Sequence, residues 1–267
     1  MPSLTDIPSE AQCRKLIRST LKTCGHKILW PCNQDYGWCR ICRKKIRPKA
    51  QTLFYGSKLS YRQLFGLVWC WQHRLSPGSV MAALGLSYTA IERWYERFRK
   101  ALTASYSNGS NGKLYGVVEV DEAYFGKKRY GGQTIVIGAI EREPTPHTGI
   151  RRLKLKIIPD TEQDSLEKFI EDNIERGSLV VTDCHMGYND IEWLGYGHEL
   201  WNHSKGHFSG TNHIEQNWSA MKRYMMKLYG SIPTRNLSLI LKEWDARHNN
   251  PELFLSPESF LGRVVPD

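Results

Sequence analysis

The second half of the chain changes its period of apolar residues several times, and each change marks an element. KLYGVVEVD (113–121), QTIVIGAIERE (133–143) and RLKLKIIPD (152–160) are alternating or continuous aliphatic runs, which predict strands. The turn-prone GKKRYGG and PTPHTG separate them, so the three runs form an antiparallel meander. DSLEKFIEDNIERG (164–177) moves to helical spacing, with an acidic start and a Gly stop. SLVVTD (178–183) then predicts a short fourth strand that joins the sheet in parallel after the crossover. Further on, Ile214, Trp218, Met221, Met225 and Leu228 form the apolar stripe of a helix packed on a sheet. The expected class is α/β: a mixed sheet flanked by helices, with Asp121 ending the central first strand beside the fourth strand that carries Asp183.

The first half reads differently. SYRQLFGLVWCWQHRL (60–75) opens with Ser60 and Gln63 in capping-box spacing, Ser76, Pro77 and Gly78 interrupt it, and SVMAALGL resumes a helix. Thr89 and Glu92 make a second capping box. The helix that follows sets Ile91, Trp94, Tyr95 and Phe98 on one face and Arg93, Arg97, Arg99 and Lys100 around the rest. A short helix, a turn at Gly85 to Tyr88 and a basic second helix predict either a helix-turn-helix laid in a major groove or plain three-helix packing. SYSNGSNGK (105–113) reads as a linker.

Charge sharpens this division. Residues 1–100 hold 18 Lys and Arg against 5 Asp and Glu, a net of +13, and residues 101–267 hold 19 against 22, a net of −3. A basic region interleaved with aromatics, joined to a mildly acidic remainder, fits a nucleic-acid-binding arm attached to a metal-binding catalytic domain. A solubilising basic surface is the plainer reading. Nothing in the chain is apolar for long enough to span a bilayer, and MPSLTDIPSEAQCRK lacks the order of a secretory signal, so the expected setting is intracellular, and nuclear if the host is a eukaryote. Seven cysteines, odd in number and unevenly spaced, argue for reduced thiols.

Cys39 and Cys42 in CRIC have zinc-knuckle spacing, and the candidates to complete the site are Cys24 and Cys32, with His26 as a substitute ligand. Arg43, Lys44 and Lys45 follow directly and join Arg93 and Arg97 as candidate DNA contacts. A decayed, metal-free ribbon is the alternative. Cys13, Cys70 and Cys184 read as small buried hydrophobes.

Candidate chemistry concentrates in three acids at three turning points. Asp121 and Asp183 each end a β-branched run, and Glu215 opens the helical pattern. Converging carboxylates hold Mg2+ or Mn2+, and two such ions activate an attacking oxygen and stabilise a leaving one. Lys222 lies seven residues after Glu215, on nearly the same helix face, where an ammonium meets a phosphate as a point charge. An ordinary exposed Glu and Lys pair is the bland reading of that spacing. Glu119 shares Asp121's side of its strand and Glu122 adjoins it, either as bystanders or as partners of the ligands. Asn217 lies two residues after Glu215 in the same helical run. His203, His207 and His213 cluster nearby, as phosphate or metal contacts or as loop hydrogen-bonders.

VEVDEAYFGKK, TDCHMGYND, the NHS of 202–204 and NHIEQNWSAMKR together resemble the DDE transposases of the Merlin type and their bacterial insertion-sequence (ISXO2-like) relatives. The resemblance spans roughly 113–248 strongly and the earlier region loosely; the Cys spacing and the short HFSGTNH stretch depart from the pattern. It implies an RNase H-like sheet of the retroviral-integrase superfamily, with Asp121, Asp183 and Glu215 as metal ligands and Lys222 at DNA. It also implies cleavage of double-stranded DNA at transposon terminal inverted repeats, strand transfer into target DNA, and a homo-oligomer that handles two ends. The expected organisation is a zinc-ribbon-like basic region (1–50), a helix-turn-helix domain (51–104), a linker (105–112) and a catalytic domain (113–267). A domesticated DNA-binding protein without transposition is the rival from another class, and a nuclease acting on RNA–DNA hybrids is a third.

Overall fold

The computed structural model describes residues 6–21, 23–31, 35–106, 112–126, 133–146, 148–183, 185–201, 211–231 and 235–264. The chain divides into two compact units, Met1–Tyr106 with Asn250–Asp267, and Ser107–Asn249. Residues 250–264, expected with the catalytic part, pack in the first unit. Gln72 Nε2 donates to the carbonyls of Leu253 and Ser256, at 2.8 and 2.7 Å, and Trp71 meets the rings of Phe254 and Phe260.

The first unit begins with α1 (Glu10–Ser19), closed by a capping box between Ser9 and Gln12. A small antiparallel sheet follows, made of β1 (Ile28–Leu29), β2 (Gly37–Cys39) and β3 (Lys44–Ile46). α2 (Tyr61–Gln72) opens on the expected Ser60–Gln63 box, and α3 (Pro77–Leu84) starts with Ser76 as cap and proline at its first position, where the missing N–H costs nothing. Gly85, at φ 62°, ends α3 in the left-handed conformation that glycine tolerates. The Thr89–Glu92 capping box does not form. α4 (Tyr88–Tyr106) starts two residues earlier than it requires, and Ser87 Oγ accepts the Ala90 N–H at 3.3 Å in its place. Ile91, Tyr95 and Phe98 are buried as their spacing predicts, while Arg93 and Arg97 are exposed. α8 (Pro257–Arg263) completes this core.

The second unit is a five-stranded sheet in the order β6-β5-β4-β7-β8. β4 (Val117–Phe125), β5 (Thr134–Glu141) and β6 (Leu153–Ile158) form the antiparallel meander, and β7 (Leu179–Asp183) joins β4 in parallel after α5 (Gln163–Asn173). The first strand is therefore central and lies beside the fourth, as in the RNase H arrangement that the sequence implies. β8 (Gly197–Trp201) is an added parallel edge strand with no sequence expectation, because GHELW alternates too weakly to announce it.

Each face of the sheet carries its own core. Val118, Val120, Ile137 and Val180 pack with Leu166, Phe169 and Ile170 of α5. Ala123, Phe125, Val136, Ile140 and Leu153 pack with α6 (Asn212–Tyr229) and α7 (Leu237–Asn249). All five residues of the predicted α6 stripe are buried in that second core. At about 1.5–3 kcal/mol for each large side chain removed from water, the stripe holds the helix firmly to the sheet. No helix among the described residues is long and apolar enough to cross a membrane.

Candidate active site

Asp121 does not end its strand. β4 continues four residues further, because Ala123 and Phe125 extend the apolar face and the pairing with β5 runs on to Phe125 opposite Thr134. Asp183 is the last residue of β7, as expected. The parallel register sets Val117 against Leu179 and Glu119 against Val181. The pairing ends there; alternation two residues further on puts Asp121 and Asp183 on the same face, and the charge of Asp183 is felt at Asp121.

The carboxylates crowd one another. Burial, then the charge of Glu122 and that of Asp183, push the Asp121 carboxyl up to about 7, against a smaller opposing effect from its hydrogen bonds. Glu122 points to the opposite face by alternation and is also pushed up to about 7, mainly by burial and in part by Asp183. It accepts a short hydrogen bond from the hydroxyl of Tyr188, a fully buried side chain in the 3-10 turn after β7. Asp183 Oδ1 accepts the His185 N–H at 3.0 Å, which turns the chain away at the strand's end.

α6 reaches this pair through Trp218, whose indole Nε1 donates to Asp121 Oδ2 at 3.0 Å. The indole fits because Gly138, opposite Asp121 on β5, has no side chain; a Cβ there would lie 2.7 Å from the ring. A lone glycine inside a β-branched strand is the sequence sign of such a close approach. Glu215, one turn before Trp218, is exposed, and its Oε1 accepts the Thr211 hydroxyl at 2.7 Å. It lines a polar groove along α6 with Asn212, Gln216, Ser219 and Arg223. Lys222 is half-buried, its Nζ 5.5 Å from the centre of the Phe125 ring. Asn217 points elsewhere: it is buried, and its Oδ1 accepts the Trp244 Nε1–H of α7 at 2.9 Å. Asn217 therefore ties α6 to α7. His203, His207 and the NHS motif lie outside the described residues, and His213 contacts Glu119, with Nδ1 2.7 Å from Oε1.

Among the described residues, one group of Cys, His, Asp and Glu has its ligand atoms all within 4.8 Å of one another: Cys24, His26, Cys39 and Cys42. Asp121, Asp183 and Glu215 do not close to that spacing as a set. The donor chemistry fits hard divalent ions: oxygen ligands, one of them an acid raised first by burial and then by neighbouring negative charge, which a cation would offset.

In the first unit, His26, the substitute ligand, groups with Cys24, Cys39 and Cys42, and Cys32 lies outside the described residues. Cys24 Sγ is 3.5 Å from Cys39 Sγ, His26 Nδ1 is 3.2 Å from Cys42 Sγ, and the Cys42 N–H donates to Cys39 Sγ at 3.3 Å. Ligands about 2.3 Å from a tetrahedral zinc stand roughly 3.8 Å apart, so this group fits the metal. Of the candidate DNA contacts beside it, Arg43 takes a positive φ of 55° in the turn before β3, and Lys45 Nζ sits 3.6 Å from the centre of the Tyr36 ring. Cys13 and Cys70 are fully buried, as read, and Cys184 lies outside the described residues.

A family model described as the ISXO2-like transposase domain matches residues 113–249, from just before β4 to the end of α7. The chain belongs to this transposase family. An "uncharacterized transposase-like protein" of Haemophilus influenzae is 31% identical to the ISXO2-like chain over 113 residues, which are 41% of this chain and 89% of that protein. Among solved structures, the cryo-EM structure of the simian T-cell lymphotropic virus intasome in complex with PP2A regulatory subunit B56 gamma matches 66% of this ISXO2-like chain and 69% of that one. Its sequence identity is 15% and its TM-score 0.32. The strand order above, rather than that superposition, carries the fold.

Proposed function

We propose that this ISXO2-like protein is a DDE transposase that cleaves DNA at its element's ends and joins the freed ends to target DNA. One observation supports the reading above the others: alternation beyond the β4–β7 pairing puts Asp121 and Asp183 on the same face, with Trp218 of α6 on Asp121 and Glu215 one turn away. Asp121, Asp183 and Glu215 would hold the divalent ions, Mg2+ or Mn2+. When bound, a pair of such ions supplies Lewis-acid activation of the attacking oxygen and charge stabilisation of the leaving one. The chain's own part is to fix these ligands on two neighbouring strands and a helix, with Trp218 orienting Asp121. Lys222, near Phe125 at the end of β4, would meet a phosphate, and the α6 groove with Arg223 would offer donors to a DNA backbone beside Glu215.

In the first unit, Cys24, His26, Cys39 and Cys42 would hold zinc. Arg43, Lys44 and Lys45 with the exposed Arg93 and Arg97 of α4 would grip DNA phosphates, with α3 and α4 read as a helix-turn-helix. Two ends must be handled together, which calls for a homo-oligomer.

The test is a cleavage and strand-transfer assay on duplexes carrying the gene's own flanking inverted repeats. Asp121→Asn, Asp183→Asn and Glu215→Gln should each abolish both steps while DNA affinity and its dependence on salt stay close to wild type. Full activity in any of the three sinks the assignment. Specific binding with no cleavage by the wild type would instead mark a domesticated DNA-binding protein, and hydrolysis without joining a nuclease.

A further inference from the structure

Two residues before Asp121, on the same face of β4, Glu119 is completely buried yet fully engaged. Its Oε2 accepts the backbone N–H groups of His213 and Ile214, at 2.8 and 3.2 Å. Its Oε1 accepts His213 Nδ1–H at 2.7 Å and Arg142 Nε–H at 3.2 Å. His213 and Ile214 are the second and third residues of α6, whose first N–H groups have no partner within the helix. The residue at the capping position, Thr211, makes no capping bond. Its hydroxyl is given to Glu215 Oε1 instead. A carboxylate on a neighbouring strand thus does the work of a helix cap, and the local cap is released to hold the acid that opens the helix.

We infer that Glu119 is a positioning residue for the proposed metal site: it pins the start of α6 to the strand of Asp121 and so fixes where Glu215 stands relative to the Asp121–Asp183 pair. This inference rests on the site proposed above and adds a further residue to it. A buried carboxylate kept solely for stability is replaceable by a well-packed apolar group. The use made of this one is geometric, since its two oxygens join Asp121's strand, the first turn of Glu215's helix and, through Arg142, the end of β5. A glutamine has the same shape but turns an NH2 toward donors, so at least one of the four bonds becomes a clash of like dipoles.

The experiment compares wild type, Glu119→Gln and Arg142→Gln as full chains purified with their zinc. Three quantities are measured well below each protein's melting midpoint: the Kd for Mn2+, the Mg2+ concentration at half-maximal cleavage, and the Kd for DNA. Glu119→Gln is expected to weaken Mn2+ and raise the Mg2+ requirement by roughly 10-fold or more, as loss of a group that orients metal ligands does. Its DNA affinity should stay at the wild-type value. Arg142→Gln, which removes one of the two donors to Glu119 Oε1 without touching α6, should move both metal quantities in the same direction by a smaller factor. Wild-type metal dependence in Glu119→Gln overturns the inference, whatever its melting temperature. If that variant does not fold, wild-type dependence in Arg142→Gln does the same. Weakened Mn2+ binding in a protein whose wild type shows no cleavage would uphold the positioning role and refute the transposase reading.

Discussion

Asp121 sits where folding alone would not put a charge. Its carboxyl is pushed from 3.8 to about 7, so between roughly pH 4 and 7 the folded protein keeps a proton that the unfolded chain has released. Stability in the absence of metal therefore falls as pH rises through that window and levels off above it. Asp121→Asn keeps an oxygen to accept the Trp218 N–H and removes the charge. At pH 7.5 without divalent metal it should melt higher than wild type by several degrees, on the order of a few kcal/mol, and the difference should shrink toward pH 4 or on adding Mg2+. Calorimetry across pH checks this, and a variant that melts lower at pH 7.5 contradicts it. Asp121, Asp183 and Glu215 stand out in the sequence because each borders a periodic run. The bonds that organise them do not. Neither the Trp218–Asp121 contact nor the three bonds from His213 and Ile214 to Glu119 follow from spacing, since each joins residues more than ninety positions apart.

Among the elements, the β4–β5–α6 sandwich depends on one missing side chain. Gly138→Val would force its Cβ into the Trp218 ring and the Leu155 side chain, both nearer than 3.0 Å. Overpacking of this kind costs about 1–3 kcal/mol and would push the indole off Asp121. Cleavage should then fall together with stability, and Gly138→Val with wild-type melting and activity would show that the indole is not held there. The small cluster in the first unit makes a separate prediction. The full chain should carry one zinc, lost in His26→Ala and Cys39→Ser, with a lower melting temperature after chelation. Metal analysis that finds zinc retained in His26→Ala would return the fourth place to another ligand. The meander, the crossover helix and the α6 stripe were all readable because period two and period 3.6 are strongly expressed there. β8, α1 and the small sheet escaped notice. Their strands are two to five residues long and are held by pairing rather than by an apolar pattern.

Over the whole chain, the division of charge matches a division of chemistry. The basic first unit holds the thiol cluster and the arginine-bearing α4, and the second holds the carboxylates on a sheet matched by the transposase family model. The tail after Asn249 returns to the first unit, which pattern reading missed because PELFLSPESF shows aromatic residues without revealing which core receives them. The central claim is that acids from two strands and a helix make one metal site, and Mn2+ binding to the zinc-loaded full chain tests it most directly. Wild type should bind Mn2+, and Asp183→Asn and Glu215→Gln should each weaken that binding at least tenfold, though the two acids lie on different elements. Unchanged Mn2+ affinity in both would contradict the account.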